Sequence, residues 1–222
     1  SVIMVLMKSF VIILAFLFAL PAAAFSPVVS EPSIPYEAMM IENVDPYKER
    51  ILLGDLEQFP DMYELVFDKT VDFKIQLKQR NVGTLSPFSL LMVKVNDDGS
   101  VSEVFRHQTP IEKWSYVNDM MLGFNLREDE PLMKNIEPGT YRIEVSTPVN
   151  EGAYMLILGD EPVKVNFFST LGGIFETQQH FGFTWLRFLL SSYVHYPLGI
   201  MVVLVGILFT WRKRATLARR DI

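Results

Sequence analysis

The 222-residue sequence predicts a mainly β protein: an antiparallel β-sandwich of immunoglobulin-like or jelly-roll character, followed by one C-terminal transmembrane helix. Three observations predict it. Between residues 50 and 165, about eight short runs of alternating apolar and polar residues are separated by turn signals, the pattern of packed antiparallel sheets. From Tyr193 to Trp211 there is no Lys, Arg, Asp or Glu, and roughly 20 such residues cross a hydrocarbon core as a helix. At the other end, Lys8, the apolar segment Phe10 to Leu20 and Pro21-Ala22-Ala23-Ala24 follow the basic, apolar and small-residue order of a secretory signal.

Residues 1–24 are therefore expected to be a signal peptide. Residues 25–49, with Pro27, Pro32 and Pro35 among small side chains, read as an extended lead-in. The sandwich opens near Arg50. In Val71-Asp72-Phe73-Lys74-Ile75-Gln76-Leu77-Lys78 the alternation puts Val71, Phe73, Ile75 and Leu77 on one face. Tyr63, Leu65 and Phe67 alternate likewise, and the short Asp68-Lys69-Thr70 connection suits a hairpin. Phe88 to Val95 is apolar enough to be covered on both sides. It runs into Asn96-Asp97-Asp98-Gly99-Ser100, whose Asp98-Gly99 favours a tight turn back into Val101 to Phe105. That turn lacks the ligand series of a calcium loop.

Residues 106–137 show no clean period and read as the irregular stretch where a binding surface would be built. Trp114 and Tyr116 are the candidates for a partner or ligand surface, although aromatics at i and i+2 more often form the inward face of a strand. His107 has no carboxylate or second histidine at ligand spacing. Further on, Thr140 to Val145 and Ala153 to Leu158 are the clearest strands, joined by a polar turn.

The run Pro138-Gly139-Thr140-Tyr141-Arg142-Ile143-Glu144-Val145, a polar turn, then Gly152-Ala153-Tyr154-Met155-Leu156-Ile157-Leu158-Gly159-Asp160 resembles the final hairpin of the bacterial pre-peptidase C-terminal type of β-sandwich. The arrangement as a whole is similar to uncharacterised bacterial β-sandwich proteins with a signal peptide and a single membrane span. The first resemblance implies an accessory, non-catalytic role in binding or targeting. Neither brings site residues with it.

Residues 166–192 form an aromatic membrane-proximal segment. Phe167, Leu171, Ile174, Phe175 and Gln178 recur at helical spacing. Such a helix would lie along the outer leaflet or dock on the sandwich. Trp185, Arg187, Tyr193 and Tyr196 on one side of the span 193–211, and Trp211 on the other, are expected at the membrane interface. The tail 212–222 opens with Arg212-Lys213-Arg214, and this topogenic cluster predicts a cytoplasmic C-terminus and an extracytoplasmic N-terminal side at the plasma membrane.

The chain carries 20 basic and 26 acidic residues. With Lys8, Arg187 and the five tail cations set aside, and Asp221 likewise, 13 basic residues face 25 acidic ones in the exported part, a balance of −12. Such a surface excludes nucleic acid as a partner. Cysteine is absent, which removes thiol catalysis and cysteine-ligated zinc, and together with the lack of an N-x-S/T acceptor in the exported part points to a bacterial surface protein. No cofactor, metal or catalytic motif is nominated. The expected function is a non-catalytic envelope domain contacting a protein or glycan as well as membrane lipid, with homo-oligomers compatible; the alternative is an accessory subunit of a larger membrane complex, and behind it a hydrolase whose site no motif nominates.

Overall fold

The computed structural model describes residues 25–30, 35–42 and 45–217, with side chains as far as Trp211. The expected signal peptide, the side chains of Arg212, Lys213 and Arg214, and the end of the tail lie outside the described residues.

Two sheets face each other. Sheet one runs β1 (Pro27–Val29), β3 (Arg50–Glu57), β12 (Glu151–Leu158), β5 (Val71–Arg80), β9 (Phe124–Glu128) and β8 (Ser115–Asp119), with β10 (Leu132–Ile136) also paired to β5. Sheet two runs β2 (Ala38–Met40), β4 (Asp61–Phe67), β11 (Gly139–Ser146), β6 (Ser89–Val95) and β7 (Val101–Gln108). The period-2 pattern of β4, β5 and β11 turns one face of each strand inward. Phe73, Ile75 and Leu77 thereby meet Tyr63, Leu65, Phe67, Tyr141, Ile143 and Val145 in the inter-sheet core. Phe67 and Phe73 close edge-to-face across it, 5.0 Å between ring centres.

The adjacent strands β3 and β12 are apolar on both faces over most of their length. Leu52, Leu56, Tyr154, Leu156 and Leu158 enter the inter-sheet core. Ile51, Leu53, Met155 and Ile157 point the other way, into a second core with Leu122, Phe124, Ile174 and Phe181. The cover on that side is α1 (Phe167–His180). It starts on Asn166, whose Oδ1 accepts from the Ser169 N–H at 2.9 Å. It stops at Gly182, φ +73°. There the Phe183 and Gly182 N–H groups reach back to the carbonyls of Gln178 and Gln179, a glycine-dependent helix close. A 3-10 turn, Trp185–Leu190, then leads into α2 (Ser192–Leu217).

Several expectations are corrected. The β4–β5 and β11–β12 pairs are not hairpins: β4 pairs with β2 and β11, whereas β5 pairs with β9, β10 and β12. Likewise β11 lies in sheet two and β12 in sheet one. Each connection crosses the sandwich, and inward-facing alternation has the same period whether the chain turns within a sheet or arches to the opposite one. The sheets are antiparallel except at two edges, where β1 runs parallel to β3 and β2 parallel to β4. The lead-in thus supplies an edge strand to both sheets, and Pro27 sits where its missing N–H interrupts no ladder. On β6, Leu90 and Met92 are buried while the other face is only half covered. The stretch 106–137 contains three five-residue strands: β8 and β10 are largely exposed, while β9, between β5 and β8, buries Phe124 and Leu126, too short a run to show a period. The β6–β7 hairpin forms as expected, with Gly99 at φ +79° and Asp98 Oδ1 accepting from the Ser100 N–H at 2.9 Å.

Gly54 lies opposite Tyr154 in the β3–β12 register, and a methyl group added there would overlap the Tyr154 ring. Gly54→Ala is therefore expected to destabilise the protein by about 1–3 kcal/mol. Thermal melts of the detergent-solubilised chain check this; an unchanged midpoint would contradict the packing.

Candidate functional site

Three groups of polar residues sit where function could be built. The first is a buried hydroxyl chain. Tyr154 Oη donates to Asp61 Oδ2 at 2.6 Å and lies 2.6 Å from Tyr63 Oη. Tyr63 Oη is 2.7 Å from Ser30 Oγ, which donates to the Leu53 carbonyl at 2.9 Å. Asp61 is 1% exposed, and its Oδ1 is buried without a hydrogen bond. The chain has four contacts, but three hydroxyls supply only three hydrogens. With Tyr154 donating to Asp61 and Ser30 to the Leu53 carbonyl, the Tyr63 hydrogen serves only one of its two neighbours, Tyr154 or Ser30. Burial, reinforced by nearby Asp55 and Glu57 and opposed by the Tyr154 hydrogen bond, raises the Asp61 pKa to about 6. Burial also pushes both phenols up. The chain joins the lead-in after β1 to both sheets.

The second group surrounds His107. Its Nε2 lies 2.9 Å from Asp129 Oδ2 and 2.9 Å from Thr109 Oγ1. A nucleophile–base–acid relay needs the nucleophile and the acid on different ring nitrogens. Here both meet the same one. Asp129 Oδ1 accepts from the Glu130 N–H at 2.8 Å, so this buried acid orders the β9–β10 connection. Among the described residues no three His, Asp or Glu side chains converge as a metal site would require.

The third group holds the helix layer to the sandwich. In the β8–β9 turn, Asp119 Oδ1 accepts from the Leu122 N–H at 2.9 Å. Gly123 takes φ +73°, with its Cα edge close against the Leu190–Ser191 backbone. Four consecutive carbonyls of this turn are then taken by the segment leading into α2. Ser192 N–H donates to Met120 O at 2.8 Å, and Ser191 Oγ to Met121 O at 2.6 Å. Gln178 Nε2 donates to Leu122 O at 2.6 Å, and Arg187 Nε to Gly123 O at 2.9 Å. Arg80, from the end of β5, donates to the Phe181 carbonyl and lies 4.1 Å from the Phe183 ring centre. A cation there suits the negative end of α1.

The residues expected from sequence separate. Trp114 is not a surface residue: it is 1% exposed in the inter-sheet core, with Nε1 donating to Thr109 O at 3.1 Å. An indole of that size packs inward when its N–H finds a partner. Tyr116 is exposed, with the Arg127 guanidinium 5.8 Å from its ring centre. Trp185, Tyr196 and Trp211 are exposed. Arg187 and Tyr193 instead face the domain, Arg187 through Gly123 and Tyr193 by stacking on Phe167. The β8–β9 turn was missed from sequence. Gly182 and Gly123, each a left-handed position beside aromatic residues, were the available signals.

No protein-family model and no curated protein matches the chain. Among solved structures it is similar to the pre-peptidase C-terminal domain of the Bacillus anthracis collagenase, at 18% identity and TM-score 0.38, covering 57% of this chain and 99% of that one. It is also similar to the Yersinia pseudotuberculosis-derived mitogen, at 10% identity and TM-score 0.35, covering 53% of this chain and 89% of that one. The domain type named from residues 138–160 thus recurs among structural neighbours, and the function has to be read from this chain's own residues.

Trp114→Ala should cost about 3–5 kcal/mol of stability, whereas Tyr116→Ala should stay within about 0.5 kcal/mol; urea titrations separate the two. The Asp61 carboxyl gives a pH signature. Its folded pKa of about 6 lies above its ordinary value of 3.8, so the folded state binds the extra proton between those values and stability falls as pH rises through that window. The loss, on the order of 2–3 kcal/mol, is complete above pH about 6. Asp61→Asn, which keeps the shape without the charge, should gain on the native chain when unfolding is compared at pH 7.5 and pH 5. A constant difference would sink the assignment.

Proposed function

We propose that the protein is a non-catalytic binding or structural domain held at the cell envelope by a single span, its N-terminal side extracytoplasmic and its C-terminus cytoplasmic. It acts by contact with a protein or glycan. The observation that carries this reading is the helix from Ser192 to Trp211. Its 20 residues have a mean hydropathy of 1.9, and none of the stretch is buried against the rest of the chain. At 1.5 Å per residue it is about 30 Å long, the thickness of a hydrocarbon core. Arg212, Lys213 and Arg214 follow it, and such residues are retained on the cytoplasmic side. The His107 and Asp61 groups, used internally, support the non-catalytic part.

A second reading, an accessory subunit of a larger membrane complex, is favoured by one feature. His195, Tyr196, Gly199, Ile200, Val203 and Leu204 form a shallow apolar depression along one face of α2, where a neighbouring helix would fit.

Alkaline carbonate washing of membranes tests the anchor: the chain should stay in the pellet, and release into the supernatant would overturn the reading. Partner capture in mild detergent should compare the full chain with one ending at Ser192. A cut after Leu158 would be unsuitable, because it would strip α1 and expose Ile51, Leu53, Met155 and Ile157. A protein retained by both versions supports binding through the sandwich, and one lost with the span supports the accessory subunit.

A further inference from the structure

The clasp between the β8–β9 turn and the start of α2 fixes which other surfaces lie at membrane level. If Ser192 to Trp211 crosses a bilayer, its length leaves little slack, and Ser192 lies at the edge of the hydrocarbon. Met120 is hydrogen-bonded to Ser192, so it lies at that edge too. Its side chain is 60% exposed. The 3-10 turn ending two residues before α2 shows the same outward bias. Trp185 is 66% exposed and Leu186, Leu189 and Leu190 about half, while Arg187 and Phe188 are turned toward the domain. On α1, Phe167 stacks on Tyr193, and its neighbour Phe168 is 72% exposed.

Three separate chain segments thus bring large apolar side chains to the level where the span begins. Charge is nearly absent from two of these segments, while the third has Lys164 just before α1 and Glu176 further along it. Arg187 is the only Lys, Arg, Asp or Glu between Phe181 and Trp211, and there is none from Met120 to Leu126. In an exported part of charge −12, such a bare apolar rim fits neither water nor a charged partner. Aromatic and aliphatic side chains beside a span suit the head-group boundary of the bilayer.

We propose that Met120, Phe168, Trp185, Leu186, Leu189 and Leu190 form a collar sunk into the outer-leaflet interface of the lipid bilayer. Resting on the single-span reading, the collar makes the domain stand on the membrane at one depth and orientation. The four carbonyl contacts of the β8–β9 turn leave no free stalk between sandwich and span.

The full chain reconstituted in phosphatidylcholine vesicles provides the test, using lipids brominated at graded depths as quenchers of tryptophan emission. Trp211→Phe leaves Trp185 as the lipid probe beside buried Trp114, and Trp185→Phe leaves Trp211. Emission from Trp185 should be shifted to the blue and quenched most by the shallowest bromines. Quenching of Trp211 without quenching of Trp185 would overturn the collar and leave the span standing. Absence of quenching at both would overturn the span as well. The cysteine-free sequence allows a second measurement: a nitroxide on Met120→Cys should be more accessible to oxygen dissolved in lipid than to an aqueous nickel complex. On Tyr116→Cys, roughly 13 Å back along β8, the order should reverse. An aqueous signature at both positions, with Trp211 quenched, again removes the collar.

Discussion

The adjacent strands β3 and β12 of sheet one have no face to give to water, and the rest of the molecule follows from that constraint. Along β3 and β12 consecutive residues are apolar, so the side chains that close the inter-sheet core alternate with others that need a cover of their own. Sheet two covers one side. On the other side only α1 and the turn after it are available, and Ile174 and Phe181 complete the second core from there. The fold is consequently three layers deep, and the segment that looks like a linker in the sequence is part of the folded body.

Docking of α1 positions everything after it. Once Gln178 is held at Leu122 O, the glycine close at Gly182 and the 3-10 turn leave the chain little choice of direction. It meets the β8–β9 turn, whose carbonyls take up donors from four residues spread over fifteen positions of sequence, Gln178 to Ser192. Apolar packing sets how strongly the layers adhere, in proportion to buried area. The carbonyl contacts set where: a slide of α1 by one residue would keep most of the apolar area but leave buried donors and acceptors unpaired.

The sequence made the class of fold legible wherever one physical cause had one geometric outcome. Alternation at Val71 to Leu77 and at Tyr141 to Val145 gave buried faces, and the charge-free run from Tyr193 gave a long apolar helix. Connectivity was less legible. The β4–β5 and β11–β12 turns look like hairpin turns because a chain reversal has the same polar signature in an arch. Trp114 and Tyr116 show the complementary difficulty. Two residues apart, one just before the short edge strand β8 occupies the core and the other, on it, lies over Arg127 in solvent. What separates them is the acceptor at Thr109 O, set by a neighbouring turn and invisible to local pattern. The β8–β9 clasp was hidden for the same reason, since it is made of backbone carbonyls that carry no residue identity.

Two sets of polar groups in this protein sit at seams between separately formed parts. Ser30, Tyr63, Tyr154 and Asp61 join the lead-in to both sheets, while Arg80 and Gln178 join sheet one to the helix layer. Each of these seams also retains an unpaired buried atom: Asp61 Oδ1, Arg80 Nε and Gln178 Oε1. An all-apolar seam would avoid those penalties. It would also accept neighbouring registers with similar energy, since area is insensitive to a small slide. A short strand such as β1, with three residues and one core-facing side chain among them, has little apolar area with which to choose its place. For it the hydroxyl chain is the larger source of selectivity, and a raised carboxyl pKa is the expected consequence of placing that chain where water does not reach.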